Sequence, residues 1–252
     1  PPPPRAFVEL TARSGMCLRA MGKNGGGVWA LPAPVVDIYM CRHGTTTWNL
    51  DKRWQGETDI ELADVGIEQA RKTAGILAER LRSVRCIYAS DLKRAKATAD
   101  IYAEHFGCEV AVHRGLREPS LGKFEGMVRD QIYSEYGALF ESLSKLEQEE
   151  RLRTAYFDGL ESPLDTSRRA EEAVRRAAEE FSKDAAAGEG GAILFVTHSK
   201  VLEAVLAVVF GKFYEGVETT PCGFFHWRYA LDGKHELGDL HNIEFHDSLV
   251  RQ

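Results

Sequence analysis

The chain has 252 residues, 44% apolar and 28% charged, a composition that excludes a disordered or collagenous protein. Its longest apolar stretch, Val201 to Phe210, is ten residues and carries Glu203, far short of the roughly 20 needed to span a bilayer. A net charge of −6 and a pI near 5.8 argue against a nucleic-acid partner. The five cysteines (Cys17, Cys41, Cys86, Cys108, Cys222) form no CxxC pair and point to a reducing, cytoplasmic setting rather than a disulfide framework or zinc knuckle.

Residues 1–34 differ from the rest. They open with four prolines, contain GKNGGG at Gly22–Gly27, and carry a net charge of +3 against −9 for the remainder. Such a segment is expected to be an extension outside the core, flexible or partly a hairpin turning at Asn24-Gly25. Its acid-poor makeup leaves organellar import open. The main domain is expected over residues 35–252.

From Val35 a rhythm of elements sets in. Val35–Cys41 is a short apolar run, read as a buried strand. Ala63–Leu81 has helical spacing, Arg85–Ala89 reads as a strand and Arg94–Phe106 as a helix. Glu109–His113 is a third strand, and Ser144–Arg153 a solvated helix face. Ser167–Ala187 is helical, Ala192–Thr197 is an uncharged strand, and Val201–Phe210 is a helix. Cys222–Ala230 and Glu236–Leu240 flank Asp232-Gly233, a hairpin signal. Strands alternating with helices predict a three-layer α/β/α sandwich around a mostly parallel sheet, with ligands outside the carboxyl ends of the strands.

The chemistry-bearing residues fall at those ends. Arg42-His43-Gly44 follows the first strand, and His198 follows Ala192–Thr197. Arg94 opens the helix after the second strand, and Glu118 lies in the loop after the third. Two His, two Arg and one Glu on one face suit phosphoryl transfer. Guanidinium forks bind phosphate oxygens, a neutral imidazole between cations can attack phosphorus, and a carboxylic acid can protonate the leaving oxygen. Thr46, Asn49 and Gln55 can donate to the remaining oxygens. Arg117, Lys123 and Arg129 flank Glu118, which suits either an anionic substrate or a solvated rim.

This constellation resembles the histidine phosphatase superfamily of phosphoglycerate mutases, fructose-2,6-bisphosphatases and broad phosphatases. Arg42-His43-Gly44 with Asn49 is similar to its RHGxxxxN signature. Gln55-Gly56, Asp59, Leu62, Gly66 and Gln69-Ala70 follow the same text. Ser90, Leu92, Arg94-Ala95 and Thr98-Ala99 match SxLxRAxxTA. Leu116, Glu118, Gly122 and Phe124-Glu125-Gly126 match LxExxxGxxEG, and Val196-Thr197-His198 the second histidine. The resemblance implies a phosphohistidine at His43, a phosphate pocket of Arg42, Arg94 and His198, and Glu118 as proton donor. Thr46, Asn49, Gln55, Gly56 and Ser199 would add substrate contacts. It implies no metal or other cofactor, and a small phosphorylated substrate as partner. Thr45 and Ser199 depart from the family pattern at positions that bear on substrate fit.

Three activities follow. A phosphatase acting on a sugar phosphate or phosphoglycerate is favoured, because no arginine pair ahead of a proline cluster lies between Glu118 and His198, as a cofactor-dependent mutase would show. Such a mutase is the alternative, and a non-catalytic binder of phosphorylated ligands the third. The spacings Cys108 to Arg114 and Cys222 to Arg228 imitate a tyrosine-phosphatase loop, but Glu109–His113 alternates like a strand and Gly223–Trp227 is filled by Phe224, Phe225 and Trp227 where that loop must be glycine-rich.

Overall fold

The computed structural model describes residues 34–155, 160–185, 191–212 and 216–246. The expected extension over residues 1–34, with its hairpin at Asn24-Gly25, lies outside the described residues except for Pro34. Six strands form one sheet: β1 (Val35–Arg42), β2 (Val84–Ala89), β3 (Val110–Val112), β4 (Ala192–Thr197), β5 (Gly216–Ala230) and β6 (His235–His246). Their order is β3-β2-β4-β1-β5-β6. The first four run parallel, and β5 and β6 add an antiparallel hairpin beside β1. All six residues of β4 are buried, as a central parallel strand covered on both faces requires.

Helices cover both faces. On one, α2 (Asp64–Arg80) and α3 (Lys93–Phe106) press Ala70, Ala74, Leu77, Ala95, Ala99 and Tyr102 against Tyr39, Cys41, Ile87, Leu194 and Val196. On the other, α6 (Pro163–Ala185) and α7 (Ser199–Phe210) pack Val174, Ala177, Val201 and Val205 onto Ile38, Met40, Ile193, Phe195 and Trp227. The fold is therefore an α/β sandwich of three layers. Alanines recur on the buried faces of α2, α3 and α6, which lets those backbones approach the sheet closely. No helix among the described residues is long and apolar enough to cross a membrane.

Three features go beyond the sequence reading. A one-turn helix, α1 (Thr47–Leu50), follows β1. A further helix, α4 (Arg129–Ser144), lays Ile132, Tyr136 and Phe140 against Leu121, Phe124 and Trp54 in a small satellite core. As expected, the charged stretch beyond it is a solvated helix, α5 (Gln148–Arg153), with no buried residue. The hairpin is also longer at both ends than expected. Its turn falls where Asp232-Gly233 placed it, with Gly233 at φ +86° and the Ala230 amide bonded to the Lys234 carbonyl at 3.0 Å.

Candidate active site

The carboxyl ends of β1 and β4 lie side by side, with Arg42 opposite Thr197 in register. The His43 amide continues this pairing, donating to the Thr197 carbonyl at 3.0 Å. The two histidines that leave these strands meet edge to face, ring centroids 5.2 Å apart. Both are buried.

The tautomers follow from the partners. His43 Nδ1 lies 2.7 Å from the Gly44 carbonyl, which only accepts, so Nδ1 carries the proton and Nε2 keeps a lone pair. Burial, then the charges of Arg94 and Arg42, push its pKa well below the ordinary value, so the ring is neutral. His198 is set the other way round. Arg94 donates Nε–H to its Nδ1 at 3.2 Å, which leaves the proton on Nε2. That Nε2 is buried and finds no hydrogen-bond partner among the described residues. Burial and then Arg94 hold this ring neutral too.

Arg94 is fully buried on the first turn of α3 and is locked at every nitrogen. Besides His198, it donates to the Thr58 carbonyl at 2.8 Å and the Gly56 carbonyl at 2.7 Å. Burial lowers its pKa to about 10, still a cation at neutral pH. Arg42 spans from β1 to the Thr219 carbonyl, and its Nε is buried without a partner. Two buried donors, His198 Nε2 and Arg42 Nε, thus stand unused on the two side chains that flank His43 in the ring contact and in sequence. Buried polar groups are rarely left so, and this pair suits an oxyanion.

Glu118 is carried into this cluster by the turn after β3. Thr197 Oγ1 donates to the Leu116 carbonyl at 2.6 Å, tying that turn to β4, and the Lys200 amide at the start of α7 donates to the carboxyl at 3.2 Å. Burial raises the Glu118 pKa to about 7; Arg94, Lys200 and Arg42 oppose the rise, and Glu203 adds to it. A carboxyl poised near neutrality can give and then take a proton.

The residues expected to contact substrate divide. Thr46 and Asn49 form a reciprocal capping box for α1: the Asn49 amide donates to Thr46 Oγ1 at 3.1 Å and the Thr46 amide to Asn49 Oδ1 at 3.0 Å. They shape the turn after His43. Gly56, at φ +54°, places the carbonyl that holds Arg94, and a Cβ there would lie 2.2 Å from Glu125 Oε1. Gln55 keeps a buried, unpartnered side-chain oxygen, and Ser199 is the first residue of α7. Of the three cations flanking Glu118, Lys123 stands 4.2 Å over the Tyr136 ring and Arg129 5.7 Å over Tyr133, while Arg117 lines the cleft beside Glu118.

Sequence reasoning gave no role to the residues that brace the site. Glu125 accepts from the Glu57 and Thr58 amides and from Ser120 and Leu121, tying the loop that holds Arg94 to the one that carries Glu118. Burial pushes its pKa up, but the hydrogen bonds from Thr58 and the amides outweigh this and keep it ionised. Thr98 Oγ1 accepts from the Gly44 amide at 3.0 Å and donates to the Arg94 carbonyl at 2.8 Å. The motif text around Arg94 and Glu118 contained both residues, the one signal available.

Neither cysteine spacing forms a phosphate loop. Residues 110–112 are β3, 223–227 lie in β5, and burial pushes the Cys222 thiol up to about 11. Among the described residues, no three His, Cys, Asp or Glu side chains converge as a metal site.

Comparison with known proteins supplies the family. The model of the histidine phosphatase superfamily (branch 1) matches residues 38–232. A glucosyl-3-phosphoglycerate phosphatase of Mycolicibacterium vanbaalenii is 31% identical over 174 residues, 69% of this chain and 74% of that protein. Phosphoglycerate mutase-like protein 4 of Arabidopsis thaliana is 43% identical over 93 residues, 36% of this chain and only 40% of the plant protein. Among solved structures, a mycobacterial glucosyl-3-phosphoglycerate phosphatase complexed with VO3 is 25% identical, with a TM-score of 0.67 over 81% of this chain and 98% of that one. A Bacillus anthracis phosphoglycerate mutase is 26% identical, with a TM-score of 0.65 over 82% and 93%.

Proposed function

The chain belongs to branch 1 of the histidine phosphatase superfamily and is an enzyme of phosphoryl transfer, and on that premise we propose that it hydrolyses a small phosphomonoester through a phosphohistidine at His43. One observation carries the reading: the lone pair of a neutral His43 lies in a cluster with two buried, unused donors. His43 Nε2 attacks phosphorus and the bond to the ester oxygen breaks. Arg42, Arg94 and His198 stabilise the charge on the phosphoryl oxygens. Glu118, protonated, gives its proton to the leaving alkoxide. Nδ1–H, held on the Gly44 carbonyl, keeps the phosphorylated ring oriented. In the second half, the Glu118 carboxylate takes a proton from water as its oxygen attacks phosphorus. The P–N bond breaks, and His43 and protonated Glu118 are restored.

Relatives carry both phosphatase and mutase names. Hydrolysis is favoured here because Arg117 and Arg169, which line the cleft beside Glu118, are each already bonded to carboxylates and offer little to a small acid that must turn over in the site. The substrate class proposed is a sugar phosphate or phosphoglycerate, the setting cytoplasmic, with residues 1–34 as an appendage to the catalytic domain. The test is to quench turnover in base, where phosphohistidine survives, and locate the phosphate by mass spectrometry while scoring free phosphate and isomerised product. Phosphate on His43 with free phosphate released supports the reading. Isomer without free phosphate makes the chain a mutase, and an unlabelled His43 removes the intermediate.

A further inference from the structure

Glu118 also lines a cleft of about 300 Å³ beside the catalytic cluster, walled by Glu57, Arg117, Ser120, Glu161 and Arg169. An ester oxygen protonated by Glu118 must sit next to it, so the carbon skeleton beyond that oxygen enters this cleft. Two of the three cations that line the cleft, Arg117 and Arg169, are already matched by hydrogen-bonded partners. Arg117 directs Nε and Nη2 at the two oxygens of Asp91 (2.7 and 2.9 Å) and Nη1 at Glu57 (3.3 Å). Arg169 directs Nε and Nη2 at Glu161 (2.7 and 2.8 Å) and Nη1 at the Gly115 carbonyl (2.8 Å). Arg114, with its side chain 80% exposed, lies 3.7 Å from Asp91.

We infer that this cleft is the leaving-group subsite and that it selects an uncharged, hydroxyl-rich leaving group, a polyol or sugar, over one bearing a carboxylate or second phosphate, with Glu57 and Glu161 as specificity-determining residues. The inference rests on the phosphatase reading above and narrows its substrate class to sugar and polyol phosphates, away from phosphoglycerates. After their ion pairs are made, both guanidinium groups keep spare N–H donors and both carboxylates keep lone pairs. A hydroxyl both donates and accepts, so it fits such a mixed wall without displacing anything. A second anion fits this wall less well. Beside Arg117 or Arg169 it must stand against Glu57 or Glu161, or pull a guanidinium from a bond already formed, and Arg114 offers it only a solvent-exposed charge, which is worth little.

Two matched pairs of probes isolate the effect, each differing by a carboxylate in place of a hydroxymethyl group: glucitol 6-phosphate against 6-phosphogluconate, and glycerol 3-phosphate against 3-phosphoglycerate. The native chain should prefer the uncharged member of each pair by about tenfold or more in kcat/KM. Glu57→Gln removes a carboxylate from the wall while Asp91 still holds Arg117, and Glu161→Gln unmasks Arg169; each should cut that preference about fivefold or more. Glu57 lies at an exposed position and carries little risk to folding; a merely structural role would lower both members of a pair alike and leave the ratio fixed. Equal or better hydrolysis of the carboxylates by the native chain, or a ratio unmoved in both variants, overturns the inference. If phenyl phosphate alone is hydrolysed, with His43 phosphorylated, the subsite inference falls and the phosphatase reading stands. If no phosphoester is hydrolysed and His43 stays unlabelled, both fall.

Discussion

Arg94 donates its Nε–H to Nδ1 of His198, and this 3.2 Å bond fixes what the second histidine offers: an N–H on its far side, aimed away from Arg94. Arginine is suited to the position because three of its nitrogens reach three separate acceptors, two of them backbone carbonyls from the 55–58 loop.

Arg94→Lys should therefore be severe although it keeps the charge. An ammonium cannot satisfy His198 and the carbonyls of Gly56 and Thr58 in the same geometry, and the released Nδ1 frees His198 to take the other tautomer. A fall of about 10² or more in kcat/KM is expected, with weaker inhibition by vanadate. Steady-state kinetics with a vanadate titration checks it; a near-native variant would remove the tautomer argument.

Glu118→Gln separates chemistry from binding. The amide keeps the size of the side chain but cannot give or take the proton, so kcat should fall by about 10²–10⁴ while inorganic phosphate still binds. The same change should stabilise the fold at alkaline pH. Because the folded-state pKa is raised to about 7, the stability associated with the protonated carboxyl is present below the ordinary carboxylate range and is lost as pH rises through 7. Removing the charge then gains up to about 3 kcal/mol at pH 8 and little at pH 4. Thermal melts of the two proteins at both pH values measure the difference.

The pH profile of kcat/KM should be bounded by the same two groups. His43 is held well below its ordinary pKa, so its lone pair survives into mildly acid solution, while loss of the Glu118 proton turns the rate down above about 7. Glu203 is the acidic neighbour that favours the protonated form, against Arg94, Lys200 and Arg42. Glu203→Gln should shift the alkaline limb to lower pH. The substrate's own ionisation is common to both proteins, so the displacement between the curves reports on the enzyme. Superimposable curves would show that Glu203 does not reach Glu118.

Gly66→Ala tests the packing beneath the nucleophile. Alanine ordinarily favours a helix over glycine, but a Cβ at Gly66 would lie 2.1 Å from the Thr45 carbonyl oxygen. The loop after His43 crosses α2 at this point, and a Cβ on Gly44 would likewise lie 2.5 Å from the Gly66 carbonyl oxygen. The variant should lose about 1–3 kcal/mol in denaturant melts and lose activity as the loop is displaced. Gly75, on the same helix with nothing within 4 Å of its added Cβ, is the control expected to tolerate alanine.

Much of the fold was legible because its signals are local. The uncharged run Ala192–Thr197 reads as a central strand without knowledge of its neighbours, and the spacing of Ala70, Ala74 and Leu77 marks the face α2 buries. Helix α4 is weakly marked in the sequence although Ile132, Tyr136 and Phe140 recur at helical spacing, because Gly137 and scattered charges interrupt the pattern. Strand β6 extends beyond Glu236–Leu240 because an edge strand carries polar residues that resemble a loop.

The site divides along the same line. By itself, the sequence determined the residue types and their places at strand ends, since strand, turn and helix are written in the nearest few residues. Only the tertiary structure decided which lone pairs and protons remain free. The His43 tautomer depends on the Gly44 carbonyl, that of His198 on a guanidinium 104 positions earlier, and the charge state of Glu118 on burial under α7. The same holds for Arg117, Lys123 and Arg129, alike in sequence, of which one lines the cleft and two lie over aromatic rings. Protonation and pairing depend on what stands within a few ångströms, and those neighbours are brought together by folding from distant parts of the chain.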